Sequence, residues 1–565
     1  MPASRLARQA LSRRDLAKLL PVLAAAPALA QQRRGQDNTP QRVSKDQLKA
    51  GLALLGLEFK DAELDMALPG VNRQLANYEA LRKIDIPLDT APAIAFSTTL
   101  PGHPVPKGTS KFKQTAPAVA NLSLKPDELP FSSAIELGAL IKAGKITPTE
   151  LTKLYLERLK TYSPKLLNVI TLTEDLALDQ AAKASAEIRA GKYKGPLHGV
   201  PYGAKDLFDT KGIKTTWGAE PYQDRVATYD ATVIEKLRDA GAILVAKLSM
   251  GALAQGGLWF NGMTKTPWNY ERTSSGSSAG SASATAAGLV GFSIGTETLG
   301  SIISPATACG VAGARPTYGR VSRYGAMALS WTMDKPGPIC RSIADCAEVL
   351  RAISGPDGKD LTVVDAPLNF DAGAPLSSMK IGYIEAEFNR GGDAQKKLYQ
   401  AALDVLRKQG ATLEPMVLPD YPYQQIRLVL TAEAAAAFDD LTRDHGIDKL
   451  KGQDPFDWPN SFRTARTIPA VEYIRAQRAR TIFMRKYAET MGQWDAYVTP
   501  TGSGSLTATN LTGHPQCVVP CGFIEGLPQG LLFTGRLWEE GTPIRVAYAY
   551  EQATEWHKTR PTLQT

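Results

Sequence analysis

Apolar residues recur at helical spacing over residues 133–143 and 147–159, and each stretch opens with a Ser or Thr suited to capping a helix N-terminus. The run Val169-Ile170-Thr171-Leu172 is β-like and leads into a long helical stretch, 176–190. Residues 229–240 predict a helix, and 242–246 the buried strand after it; 380–384 and 496–499 are further short apolar strands bounded by breakers. Helices alternating with short, continuously apolar strands predict an α/β fold, a large mixed β-sheet covered by helices on both faces. Residues 31–125 have a different texture. Helical spacing shows in Leu48, Leu52 and Leu55 and over 72–82, followed by a Pro- and Thr-rich stretch from Pro87 to Pro106. This predicts an N-terminal helical cap trailing into an extended arm, ahead of one core spanning 126–565. No repeat of 20–50 residues is evident.

Composition narrows the class. A chain of 565 residues, 43% hydrophobic and 21% charged, buries a core without needing covalent staples. Its apolar content excludes wholesale disorder, and the unperiodic 48 Gly and 38 Pro exclude a collagenous chain. No stretch approaches the roughly 18 uncharged apolar residues of a spanning helix, so no stable membrane insertion is expected. The net charge of +9 invites a nucleic-acid reading, but residues 1–30 carry Arg5, Arg8, Arg13, Arg14 and Lys18 against Asp15 alone. Removing those net four charges leaves +5, with no dense Lys/Arg block to follow a phosphate backbone. Nucleic acid is not an expected partner.

The basic opening segment precedes a short apolar run from Leu19 and an Ala28-Leu29-Ala30 cleavage pattern, and Ser12-Arg13-Arg14-Asp15-Leu16-Ala17-Lys18 matches a twin-arginine export signature. The expectation is a bacterial-type signal peptide over 1–30, export to the periplasm or medium, and a mature chain from Gln31. The five cysteines (Cys309, Cys340, Cys346, Cys517, Cys521) are few for an oxidising compartment and odd in number, which predicts buried thiols. Cys517 and Cys521 lack the second ligand pair of a zinc site, so no metal and no cofactor is predicted.

The candidate chemistry lies in three segments. The stretch from Thr273 to Ala284, rich in Gly and Ser, reads by composition as a linker, and Gly276-x-Ser278-x-Gly280 fits a nucleophile elbow. That elbow needs a strand directly before it, and 269–273 reads as a poor one. With Gly199-Val200-Pro201-Tyr202-Gly203-Ala204-Lys205-Asp206 upstream and Gly295-Thr296-Glu297-Thr298-Leu299-Gly300-Ser301-Ile302-Ile303-Ser304-Pro305-Ala306 downstream, the chain resembles the amidase signature family. The likeness continues through Cys309–Ser322 and covers roughly 130–560.

That resemblance implies the amidase signature fold and a Ser acyl-enzyme, with Ser301 as nucleophile, Lys205 as base and Ser277, in a cis peptide, relaying the proton. The backbone N–H groups of Thr298, Leu299, Gly300 and Ser301 would form the oxyanion hole. The physics is independent of the name. A Ser hydroxyl needs a neighbour to take its proton, and a lysine does so only when burial keeps it neutral. Each residue also has an ordinary alternative: Lys205 in a surface ion pair with Asp206, Ser301 as a helix cap, Ser277 in a turn. The five histidines suggest no triad partner.

Departures from the family pattern cluster at the nucleophile. Leu299 replaces a glycine, which strains the turn if that position needs positive φ and otherwise narrows the acyl pocket. Ile303 replaces a cation, so Glu297 has lost its usual Arg neighbour; Ser275 and Ala279 also stand where glycines are usual. Trp217, Trp259, Trp331, Met327 and Met333 are candidates to line an apolar pocket. The expected activity is cleavage of a carboxamide C–N bond in a small-molecule substrate, with esters and carbamates open to the same trio. Two rivals stand beside it: the glutaminase component of a tRNA-dependent amidotransferase, and a non-catalytic periplasmic binding protein on the same fold. A homodimer is compatible with all of them.

Overall fold

The computed structural model describes residues 41–84, 94, 96–102 and 104–565; the expected export signal lies outside them, as does part of the Pro- and Thr-rich stretch. The chain divides into two compact units between Asn77 and Tyr78, whereas composition alone suggests a boundary near residue 125.

In the first unit, the helix Lys45–Leu54 opens on Ser44, whose hydroxyl and the Gln47 side chain form a reciprocal capping box. Leu48 and Leu52 pack on Leu64, Ala67 and Val71 of the following helix, Asp61–Arg82.

The second unit is built on an eleven-stranded sheet. Its strands in chain order are β1 (Val169–Leu172), β2 (Pro201–Lys205), β3 (Ile243–Leu248), β4 (Phe292–Glu297), β5 (Ala312–Arg315), β6 (Lys335–Cys340), β7 (Lys380–Tyr383), β8 (Thr412–Pro415), β9 (Ala496–Pro500), β10 (Gln516–Ile524) and β11 (Leu527–Gly535). Across the sheet they run β8-β7-β9-β11-β10-β5-β6-β4-β2-β3-β1. β2 is parallel to both β3 and β4, and β7 to both β8 and β9; the remaining pairs are antiparallel. β3 explains the unbroken apolar runs. Leu244 enters one core cluster while Ile243, Val245 and Leu248 enter another, so both faces are buried. The expected mixed sheet under two helical layers is the fold observed.

The caps lie where the pattern placed them: Ser133 with Glu136 opens Ala134–Lys142, and Thr147 with Glu150 opens Pro148–Leu166. One expectation is corrected. Residues 269–273 form a strand, Asn269–Thr273, paired with Lys265–Thr266 in a separate two-stranded sheet. Its side chains are largely exposed, so it carries no alternating apolar signal. The stretch after it is no linker, because the helix Ala279–Ala286 is buried at every position. All five cysteines are free and buried. Among the described residues no helix is long and apolar enough to cross a membrane.

Candidate active site

The site forms where parallel strands end, the position at which open α/β sheets leave a crevice at their carboxyl edge. β2 delivers Lys205 as its last residue, and neighbouring β4 delivers Thr296 and Glu297. Between them in sequence the small-residue segment returns to the same edge. Small residues are required there: a Cβ on Gly276 would lie 1.9 Å from the Gly256 carbonyl oxygen. The Gly276–Ser277 peptide bond is cis.

Lys205 is fully buried, and its Nζ lies 2.8 Å from Ser277 Oγ and 2.9 Å from Thr296 Oγ1. Burial drives its pKa down to about 7, although the Asp334 and Glu297 carboxylates pull the other way. The surface ion pair with Asp206 does not form. Asp206 is itself buried, bonded to Thr216 and 3.2 Å from the buried Lys247. Ser278, the elbow alternative, is committed to structure: buried, its hydroxyl donates to the Thr296 carbonyl and accepts from the Thr296 N–H. Its own N–H donates to the Ser301 carbonyl at 3.2 Å, tying the segment of Ser277 to that of Ser301.

The turn from Thr298 to Ser301 leads into the helix Ile303–Cys309. Ser301 is half-buried, and its hydroxyl makes no hydrogen bond to any described residue. Nor do the backbone N–H groups of Thr298, Leu299, Gly300 and Ser301 donate to a described residue. The next two, Ile302 and Ile303, donate to Glu297 at 2.9 and 3.0 Å. Leu299 lies outside the left-handed region; Gly300 takes it instead, with φ +94°. The leucine therefore imposes no backbone strain of the kind its position in the motif raised.

Glu297 does not lack an arginine. Arg315, at the end of β5, approaches it at 2.6 Å, and Asn510 Nδ2 donates to the same oxygen at 2.8 Å. Burial alone would raise this carboxyl, but Arg315, the Ile303 N–H and Asn510 outweigh it and hold the pKa below the ordinary range. Ile303, where a cation was expected, is buried against Ile302, Ala306 and Ile339. Asp334, buried just before β6, accepts from Thr298 Oγ1 at 2.5 Å and braces the turn from the other side. None of Thr296, Arg315, Asn510 and Asp334 was given a role from the sequence: Thr296, Arg315 and Asn510 lie within stretches that carry the family likeness (Gly295–Ala306, Cys309–Ser322 and 510–515), and Asp334 is brought in by the fold.

A cavity of about 220 Å³ abuts the site at Thr296 and Thr298 and is walled by Leu207, Met327, Leu329 and Trp331. A second, of about 340 Å³, shares Met327 and Trp331 and adds Trp217. Of the five pocket candidates, Trp259 instead donates from the core to the Leu167 carbonyl and Met333 is fully buried.

The sheet and the residues at its edge define an amidase-type fold. The family profile described as Amidase matches residues 150–508, and the chain belongs to that family of enzymes. It is 36% identical to the A-type component of the glutamyl-tRNA(Gln) amidotransferase of Roseiflexus sp. (strain RS-1), over 74% of this chain and 96% of that protein. Among solved structures it is similar to the native peptide amidase of Stenotrophomonas maltophilia, with TM-score 0.68 and 33% identity over 77% of this chain and 99% of the other. For the same A-type component from Thermotoga maritima the corresponding values are 0.62 and 28%, over 76% and 96%.

Proposed function

We propose that the protein hydrolyses carboxamides through a Ser301 acyl-enzyme, with neutral Lys205 as base and Ser277 as relay. The observation that carries this is the fully buried Lys205 amine, its pKa near 7, bonded to Ser277 Oγ, in a segment tied to that of Ser301 through the Ser278 N–H and the Ser301 carbonyl. With its pKa brought near 7, the amine is neutral and able to take a proton in a substantial fraction of molecules at neutral pH. Ser301 Oγ attacks the amide carbon as its proton passes to Ser277, and the Ser277 proton passes to Lys205 Nζ. The carbonyl oxygen, now an anion, takes the free N–H groups of Thr298–Ser301. On collapse the proton returns through Ser277 to the leaving nitrogen, the C–N bond breaks, and water then cleaves the ester by the same route. Esters and carbamates are open to the same steps.

Similarity to the amidotransferase components favours a second reading, a glutaminase working within an assembly. Likeness to a peptide amidase supports a stand-alone hydrolase. The export signature, carried by Arg13 and Arg14, supports a periplasmic or secreted enzyme and with it the stand-alone reading. Ammonia release from simple amides and from glutamine, measured on the purified chain, separates the two. The proposal expects turnover of simple amides that falls at least a thousandfold in Ser301→Ala and Lys205→Ala; turnover unchanged in Ser301→Ala overturns it. Glutamine hydrolysis appearing only with a partner protein supports the second reading.

A further inference from the structure

Trp331 is 49% exposed, yet the loop carrying it is held by a dense set of hydrogen bonds. Its carbonyl accepts from the Tyr318 hydroxyl at 2.6 Å and from Arg323. On either side, Ser330 Oγ and Thr332 Oγ1 donate to the buried carboxylate of Glu433 at 2.6 and 2.8 Å. Asp334 accepts the Leu329 and Ser330 N–H groups, and buried Arg480 donates to Thr332. Two buried carboxylates and an arginine thus fix a backbone that buries Leu329 and Met333 and leaves the Trp331 indole partly facing solvent.

A single exposed aromatic residue on a surface needs no explanation. This one lines both cavities, and the first of them reaches Thr296 and Thr298. Tyr324 and Tyr229, 39% and 44% exposed with ring centroids 5.5 Å apart, extend the aromatic lining. The charged groups in these walls are paired, the one at Asp440 only by an exposed surface pair. Arg323 grips Asp360, Arg225 grips Asp209 with both nitrogens at 2.7 Å, Asp440 pairs with Arg443, and Asp334 holds the turn. The wall of the first cavity, which reaches Thr296 and Thr298, offers no uncommitted charge to a zwitterionic amino acid, and both cavities offer flat apolar faces.

We infer that Trp331 is a specificity-determining plate, and that the preferred substrates are uncharged amides bearing an aromatic or bulky apolar group that lies across it. The substituent runs from the scissile carbonyl at the Thr296–Thr298 edge through the first cavity and over the indole. A fixed aromatic surface gains contact area at little cost in side-chain entropy. This rests on the catalytic reading above, so its test has one arm that needs no catalysis.

The first arm compares kcat/KM for 4-phenylbutanamide and acetamide in wild type, Trp331→Ala and Trp331→Phe. Trp331→Ala is expected to lower the preference for the phenyl substrate at least tenfold, mainly through KM, with acetamide little changed and Trp331→Phe retaining most of the preference. The second arm measures binding of 4-phenylbutanamide by calorimetry to Lys205→Met and to Lys205→Met/Trp331→Ala, expecting at least tenfold weaker binding in the latter. Equal losses for both amides in the first arm overturn the inference, as does equal affinity, or none in either protein, in the second. If wild type hydrolyses neither amide, the catalytic proposal falls and the calorimetric arm still decides the role of Trp331.

Discussion

Replacing Lys205 by methionine keeps most of the side-chain volume and removes the amine, and the effect on stability depends on pH in a direction set by burial. In the folded protein this amine titrates near 7, in the unfolded chain near 10.5. Below pH 7 both states carry the proton, and the fold bears the whole cost of enclosing an ammonium, about 5 kcal/mol for such a shift. Between pH 7 and 10.5 the folded protein has lost the proton and the unfolded chain keeps it, so wild-type stability rises with pH through that window. From pH 7 to 9 the gain approaches about 2 to 3 kcal/mol. The methionine variant lacks this gain, while its lost hydrogen bonds to Ser277 and Thr296 cost the same at both pH values. Urea denaturation of both proteins at pH 7 and pH 9 isolates the term, since all other titrations cancel in the difference. The variant should be more stable relative to wild type at pH 7 than at pH 9, by about 2 to 3 kcal/mol. A relative stability independent of pH refutes the depressed pKa. In the same window wild-type kcat/KM should rise with pH through a single ionisation near 7, because the neutral amine is the active form.

Glu297→Gln leaves the buried Arg315 without its counter-ion and should cost about 3 to 5 kcal/mol, read from the shift in denaturation midpoint. Ser275 holds φ +63°, so Ser275→Gly should relieve strain and stabilise the protein by about 0.5 to 1 kcal/mol in the same assay, with catalysis retained. Thr298→Val removes the hydroxyl that ties the turn to Asp334; kcat should fall about tenfold with KM little changed, as for a donor turn aimed less well at the transition state. If the proposed signal is used, N-terminal sequencing of protein recovered from the periplasm or medium should begin at Gln31, whereas retention of the first thirty residues contradicts the signal reading.

Much of the framework was legible because it follows from periodicity. The strands β1, β3, β7 and β9 and the capping boxes at Ser133 and Thr147 carry their signals within a few residues of sequence. The motif positions Lys205, Ser277 and Ser301 were legible through a family likeness, and the fold brings their segments to one sheet edge. What surrounds them was not. Arg315 reaches Glu297 from β5, Asp334 reaches Thr298 from before β6, and Glu433 reaches Ser330 from a helix over a hundred residues on. Asp334 and Glu433 are in sequence ordinary charged residues, and Arg315, though within a stretch that carries the likeness, bears no local sign of its partner; only tertiary packing turns them into buried partners. The exposed strand Asn269–Thr273 was missed for the opposite reason, since a strand with no buried face leaves no apolar alternation.

Reaction of the protein with a fluorophosphonate probe, followed by peptide mass spectrometry, tests the central claim most directly. The predicted result is a single modification on Ser301 that is lost in Lys205→Ala and retained in Trp331→Ala. Modification of Ser278, or labelling of Ser301 undiminished in Lys205→Ala, contradicts the proposed chemistry.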